Sequence, residues 1–570
     1  MSRPRIDPAL AAALTAAIPP RLIKKLDATP DLANAWTWTA TTVTTDKGET
    51  VTLGVTDGVV TAVTCTCLLA PKCLHVAAVV GTLEPLASVA PREPVSGIES
   101  PSSGNGGPSP FIGQTADTAF RVVADVLATG AETTGAFVQA ELLRSIHACR
   151  AHGLHRLATL QTRILRSVRE LRADRPEFDL EVLTADLREA LDVAHAIAQG
   201  AAGDDLVGAA RRDYAPIGSL RLRGLFTEAV VARSGYAGAV TYLVDDRGRM
   251  FTRADVAPGD AGRAAAAYDA PAAIGDAVLP HRELCRAGLF VSEATASADG
   301  RLGAGAKVRA VRAAEPSRWD AEPLASRWAM PLSEQLAQVA ARDQVAEAAR
   351  PAGWDLVFVD GTMAPGGLFA LGGGTLVRLT TPFDQRVLAA RDNLAVLARS
   401  PGLALRAIAR VRLGAPRQLE LLAIAPLAGE SRLVLADPWH GRANLHYDRL
   451  SLPSIDDARG LSVAPSPMAG PADELLAPLR RRVERVVQGG AGTLPIHALA
   501  ELEREATAFT ARSLRGAADA IRDLAALAHD AGRTITGARR AIDRTSFARA
   551  WLRAALYEDA ARRRLSIASW

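Results

Sequence analysis

The stretch that decides the reading of this chain is C-T-C-L-L-A-P-K-C-L-H-V-A-A-V-V-G-T-L, Cys65 to Leu83. It contains three of the five cysteines of the sequence, as Cys-x-Cys, five residues, then Cys-x-His. Three thiolates and an imidazole are a standard donor set for tetrahedral Zn²⁺. The chain just upstream, from Trp36 to Thr64, alternates Thr and Val around Asp46-Lys47-Gly48 and Asp57-Gly58, which predicts a small antiparallel sheet with tight turns. Cys65 and Cys67 close its last strand, and alternate residues of a strand face one side, so both thiols can address one ion. Cys73 and His75 open an apolar run with helical character, and Leu68 to Lys72, stiffened by Pro71, is long enough to turn back. The expectation is a ββα unit closed by one structural ion held by Cys65, Cys67, Cys73 and His75. Four protein ligands leave no coordination position for water or substrate, so the ion is read as structural and its binding as most of the folding energy of a small module.

The pattern resembles the SWIM zinc finger, a likeness confined to residues 36–83 and resting on those four residues after a hairpin and into a helix. The resemblance implies the same four ligands. It departs from many family members in having Leu74 between the third Cys and the His, with Lys72 just before, so no phosphate-facing lysine is carried over. It further implies binding to DNA or to other proteins. Similar bacterial proteins, with an N-terminal SWIM finger and an Ala/Arg-rich remainder, are often encoded beside MoxR-type AAA ATPases and von Willebrand factor A (VWA) proteins. An adaptor role with such a partner is what the likeness suggests.

Outward from the finger, residues 1–83 form one expected module. The interval 84–116 is read as a disordered linker, because Glu84 to Pro110 holds six Pro, six Ser and four Gly and cannot bury enough apolar surface to offset ordering. Residues 117–200 are read as a helical domain: Leu154, Leu157, Leu160, Ile164, Val168 and Leu171 recur at helical spacing, with Arg156, Arg163, Arg166 and Arg169 on a face expected to be solvated. A β-rich domain is expected at 201–318, an α+β domain at 319–470 and a helical segment at 471–570. The fold class is therefore α+β and multidomain, with two β-containing domains read as compact β-barrel-like or α+β units.

The composition fits a soluble protein. The 570 residues are 48% hydrophobic and 22% charged, and the apolar runs at Pro8–Pro20 and Leu74–Leu83 fall short of the ~20 residues that span a bilayer. Arg3 and Arg5 before Ala9–Ile18 only faintly imitate a signal peptide, since Asp7 and Pro19-Pro20 fit its pattern poorly; the expected location is the cytoplasm, with no membrane association. Reduced thiols there favour metal over disulfide. The net charge of +4 is too small to diagnose a polyanion partner, and only five of 66 basic residues are Lys, so Arg is simply the default cation of this chain. The most basic piece is the end: between Arg533 and Arg564 nine Arg face Asp543, Glu558 and Asp559.

No catalytic motif emerges. Gly300–Lys307 lacks the Gly-Lys-Ser/Thr ending of a phosphate loop, His281-Arg282-Glu283 has no Pro-Cys-x-x-Cys after it, and no Gly-x-Ser-x-Gly occurs. His147, Cys149, His152 and His155 straddle Gly153 on different faces, and His440 and His446 are isolated in a strand region. The expected function is that of a zinc-binding, non-enzymatic protein-interaction or adaptor protein. A nucleic-acid-binding protein using the finger and the Arg-rich last helix is the alternative, and no motif identifies a small-molecule substrate.

Overall fold

The computed structural model describes residues 3–84, 111–451, 471–494, 499–529 and 542–570, apart from scattered positions, most of them between 8 and 31. Most of the expected linker lies outside the described residues. The chain is mixed α and β and divides into two compact units: Met1–Arg211 with Ala477–Glu558, and Arg212–Leu476 with Asp559–Trp570.

In the first unit a five-stranded sheet has the order β1-β5-β4-β3-β2, from β1 (Arg5–Ile6), β2 (Thr37–Trp38), β3 (Thr42–Thr44), β4 (Thr50–Thr56) and β5 (Val59–Cys65). Its turns carry Gly48 and Gly58 at φ of 87° and 78°, a region that favours glycine. β1 joins β5 in parallel, a pairing that nothing in local periodicity announces. One face of the sheet, with Val43, Val51, Leu53 and Val63, packs against α1 (Leu74–Thr82), and Ile6, Ala33 and Trp36 complete the core. This core is larger than a small metal module was expected to have, because β1 and the 3-10 turn Leu32–Ala35 are folded onto the finger.

Four helices follow, α2 (Ile112–Thr129), α3 (Ala136–Ala151), α4 (His155–Arg172) and α5 (Leu180–Ala198), each packed on the next, with α5 returning to α2. The α4 stripe is buried as its spacing demands, from Leu154 to Val168. Its opposite face is less solvated than expected: Arg156 pairs with Glu189 at 2.9 Å, and Arg163 with the buried Asp186 at 2.6 Å. Asp179 caps α5 by accepting from the amides of Glu181 and Val182. The segment Ala477–Glu558 belongs to this unit. Its Trp551 is fully buried and donates its indole N–H to Val483 O at 3.1 Å. Gly130 and Gly490 meet back to back, each with positive φ and no room for a Cβ, while Ala131 N donates to Val487 O.

The second unit contains two sheets and a small ribbon. β6 (Ala215–Ala232), β7 (Tyr236–Asp245), β8 (Met250–Pro258), β11 (Ala287–Ala296) and β12 (Arg309–Pro316) form an antiparallel sheet of order β12-β11-β6-β7-β8; β9 (Pro271–Ile274) and β10 (Ala277–Pro280) form the ribbon. The other sheet runs β15-β14-β13-β16-β17-β18, from β13 (Leu356–Ala364), β14 (Leu368–Leu371), β15 (Leu376–Thr380), β16 (Ala404–Val411), β17 (Gln418–Pro426) and β18 (Ala443–Asn444). β15 also pairs in parallel with the start of β17, so five strands close into a barrel. Strand alternation then sorts the apolar residues. Val357, Val359, Leu405 and Ala407 share one core with Phe369 and Val377, whereas Leu356, Phe358 and Ile408 face Leu225, Phe226 and Val244 of the first-named sheet.

A buried ionic seam lies between these sheets. Arg410 bonds Glu228 at 2.8 Å and Asp355 at 2.7 Å, and Tyr242 donates to Glu228 at 2.9 Å. Arg286 bonds Asp448 at 2.6 Å, both 5% exposed, and Arg442 donates to Ser317 and to Cys285 O. Every charge in so dry a place needs a partner, which is why the seam reads as a network.

Candidate metal centre

β5 delivers Cys65 at its end, paired with Val51 of β4. The chain leaves the sheet through Thr66, whose hydroxyl accepts from Thr50 N at 2.9 Å, and makes a tight turn in which Ala70 N donates to Cys67 O at 3.1 Å. It re-enters the core at Cys73, the N-cap of α1, whose sulfur accepts from Val76 N at 3.4 Å. His75 follows on the first turn of α1, its ring edge-on to Trp36 with centroids 5.6 Å apart. A strand end and a helix start thus hold the four side chains from opposite sides.

The donor atoms of Cys65, Cys67, Cys73 and His75 all lie within 4.8 Å of one another, and Cys65 Sγ is 3.8 Å from His75 Nδ1. Zinc bonds of ~2.3 Å to sulfur and ~2.0 Å to nitrogen put tetrahedral ligand edges at about 3.5–3.8 Å, so the cluster is close to the size zinc requires. Among the described residues this group stands out as one that can hold a metal ion, and its soft thiolates with one imidazole suit zinc. Bound there, zinc would supply a cross-link between strand and helix.

The thiols are differently tuned. Burial pushes Cys73 up to about 12 and raises Cys65 as well. Burial opposes ionisation of Cys67 too, but the amides of Leu69 and Ala70 and the neighbouring Cys73 and Cys65 outweigh it and hold that thiol below its ordinary value. Metal binding at this site therefore displaces protons.

Between the second and third cysteines the loop carries Leu68, fully solvent-exposed, and Leu69, 54% exposed. Sequence reasoning treated this segment only as a spacer, and no local signal says which way its side chains turn.

The discounted groups are dispersed. His152 Nδ1 lies 2.8 Å from Thr115 Oγ1, while Cys149 is buried with Gln161 donating to its sulfur, and burial pushes its thiol up to about 11. His440 ends a 3-10 turn at φ 48°, whereas His446 is buried with Nδ1 accepting from Ala229 N at 3.1 Å. His281 is equally buried, its Nδ1 2.7 Å from Thr241 Oγ1. No helix of the described residues is long and apolar enough to cross a membrane. No protein-family model, curated protein or solved structure was found to match the chain.

Proposed function

We propose that this chain is a zinc-binding, non-enzymatic interaction protein of the SWIM-finger type, working in the cytoplasm, with the finger as the surface that meets a protein partner. The observation that carries the reading is Leu68 and Leu69, held in water by the loop between the metal ligands. A loop braced at both ends by metal ligands that displays two leucines suits an apolar pocket on another protein. The closed four-ligand set supports a bracing role for the ion. The partner suggested by the SWIM resemblance is a MoxR-type AAA ATPase or a VWA protein.

The alternative, nucleic-acid binding through the finger and the last helix, is disfavoured by ion pairing along Arg544–Ala568. Arg544 meets Asp125, Arg553 meets Asp523, Arg562 meets Asp559, and Arg563 meets Asp343 and Asp559. Guanidiniums already matched by carboxylates offer little net charge to phosphate.

The test is purification of the full chain from its own cells at moderate and high salt, with and without nuclease, beside a Leu68→Asp/Leu69→Asp variant. A protein partner that survives salt and nuclease and is absent from the variant is the expected result. Co-purifying nucleic acid that is lost at high salt, with no protein retained, overturns the reading.

A further inference from the structure

We propose that the first unit holds a binding site for an amphipathic anion, an acyl chain ending in a carboxylate, in a cavity walled by the finger helix α1 and helices α3 and α4. The cavity encloses about 440 Å³, within the usual ~300–1,000 Å³ of small-molecule sites. Its walls follow from helical periodicity. Ala77, Val80 and Gly81 are one face of α1; Ala140, Leu143 and His147 one face of α3; Thr162, Leu165 and Arg169 one face of α4. Ile6 and Leu83 join them, tied by the bond from Ile6 N to Glu84 O at 2.7 Å.

The chemistry of the lining is split. The interior is apolar, from Ile6, Val80, Leu83, Ile146 and Leu165. Five arginines, Arg144, Arg150, Arg166, Arg169 and Arg175, also line it with the carboxylate of Glu170, and Arg144 pairs with Glu141 at 2.9 Å, so the arginines outnumber these two carboxylates by three. Arg144 and Arg175 are exposed at the mouth, while Arg150, Arg166 and Arg169 are half-buried. Arg169 donates through Nε to Gln139 Oε1 at 3.3 Å, and burial lowers the pKa of its guanidinium. A cation partly withdrawn from water gains from an anion placed beside it, and an acyl tail gains from the apolar interior. A neutral lipid would use only the second term, and a cationic one would be repelled. Because Arg is the ordinary surface cation here, the decisive comparison is between ligands of equal tail and different head.

The test titrates the zinc-loaded full chain with decanoate and with decanol, each below its aggregation concentration, by isothermal titration calorimetry. Decanoate is expected to bind with 1:1 stoichiometry and at least tenfold more tightly than decanol. Arg169→Gln is expected to weaken decanoate about tenfold and to leave decanol unchanged, and Leu143→Trp, which fills the cavity, to abolish both with zinc content and circular dichroism preserved. Equal affinity for the two ligands, no decanoate binding, equal losses of both in Arg169→Gln, or undiminished binding in Leu143→Trp would each overturn the proposal. The wild-type comparison decides even if a variant fails to fold.

Discussion

Lowering the pH from 7.5 to 5.0 should strip about 4 kcal/mol from the second unit through two histidines. His281 and His446 are both fully buried. Burial, reinforced by Arg253 and only partly offset by Asp255, pushes His281 from 6.5 to about 4. Burial and the nearby Arg410 push His446 from 6.5 to about 3. Both rings are neutral in the fold, and the Nδ1 of His446 is committed as an acceptor to Ala229 N, so a proton there faces an N–H. The sign follows from linkage. A folded pKa depressed below the unfolded value gives stability that is complete above about 6.5 and is lost as pH falls towards the folded values near 4 and 3. At pH 5 each unfolded imidazole lies about 1.5 pH units below its pKa, which at ~1.36 kcal/mol per unit is about 2 kcal/mol per histidine. Urea unfolding followed by tryptophan fluorescence at the two pH values measures the sum. His446→Gln retains an acceptor for Ala229 N but cannot titrate, so its stability should fall about 2 kcal/mol less than that of the wild type over the same interval. An identical pH dependence in wild type and variant would refute the argument.

Three further outcomes are expected. One zinc per chain should be found by elemental analysis, and Cys73→Ser should lose it; because the sheet has its own apolar core, chelation should loosen the loop Thr66–Lys72 in hydrogen exchange while far-ultraviolet circular dichroism changes little. Trp551→Ala removes a fully buried indole together with its hydrogen bond to Val483 O, and should cost the first unit about 3–5 kcal/mol in urea denaturation. Gly238→Ala should prevent the β7–β8 pairing, since its Cβ would stand 1.8 Å from Asp255 O; loss of soluble protein checks this, whereas Gly48→Ala, with open space at its Cβ, should cost only the strain of a positive φ.

Elements set by local chemistry were legible in the sequence. Thr/Val alternation with Gly48 and Gly58 placed β3, β4 and β5, and the leucine spacing placed α4, because strand and helix periods are imposed by the backbone itself. The four metal-ligand candidates were legible for a related reason: they lie within eleven residues, so a hairpin end and a helix start suffice to gather them. Long-range association was not. The parallel pairing of β1 with β5, the closure of β15 onto β17 and the inclusion of Ala477–Glu558 in the first unit depend on which surfaces find each other. The arginines show the limit most clearly. On the sequence, Arg163 and Arg169 differ in nothing that marks their fate. Only packing brings Arg163 to Asp186 and turns Arg169 to the wall of a cavity, because a side chain's environment is made by residues remote in sequence.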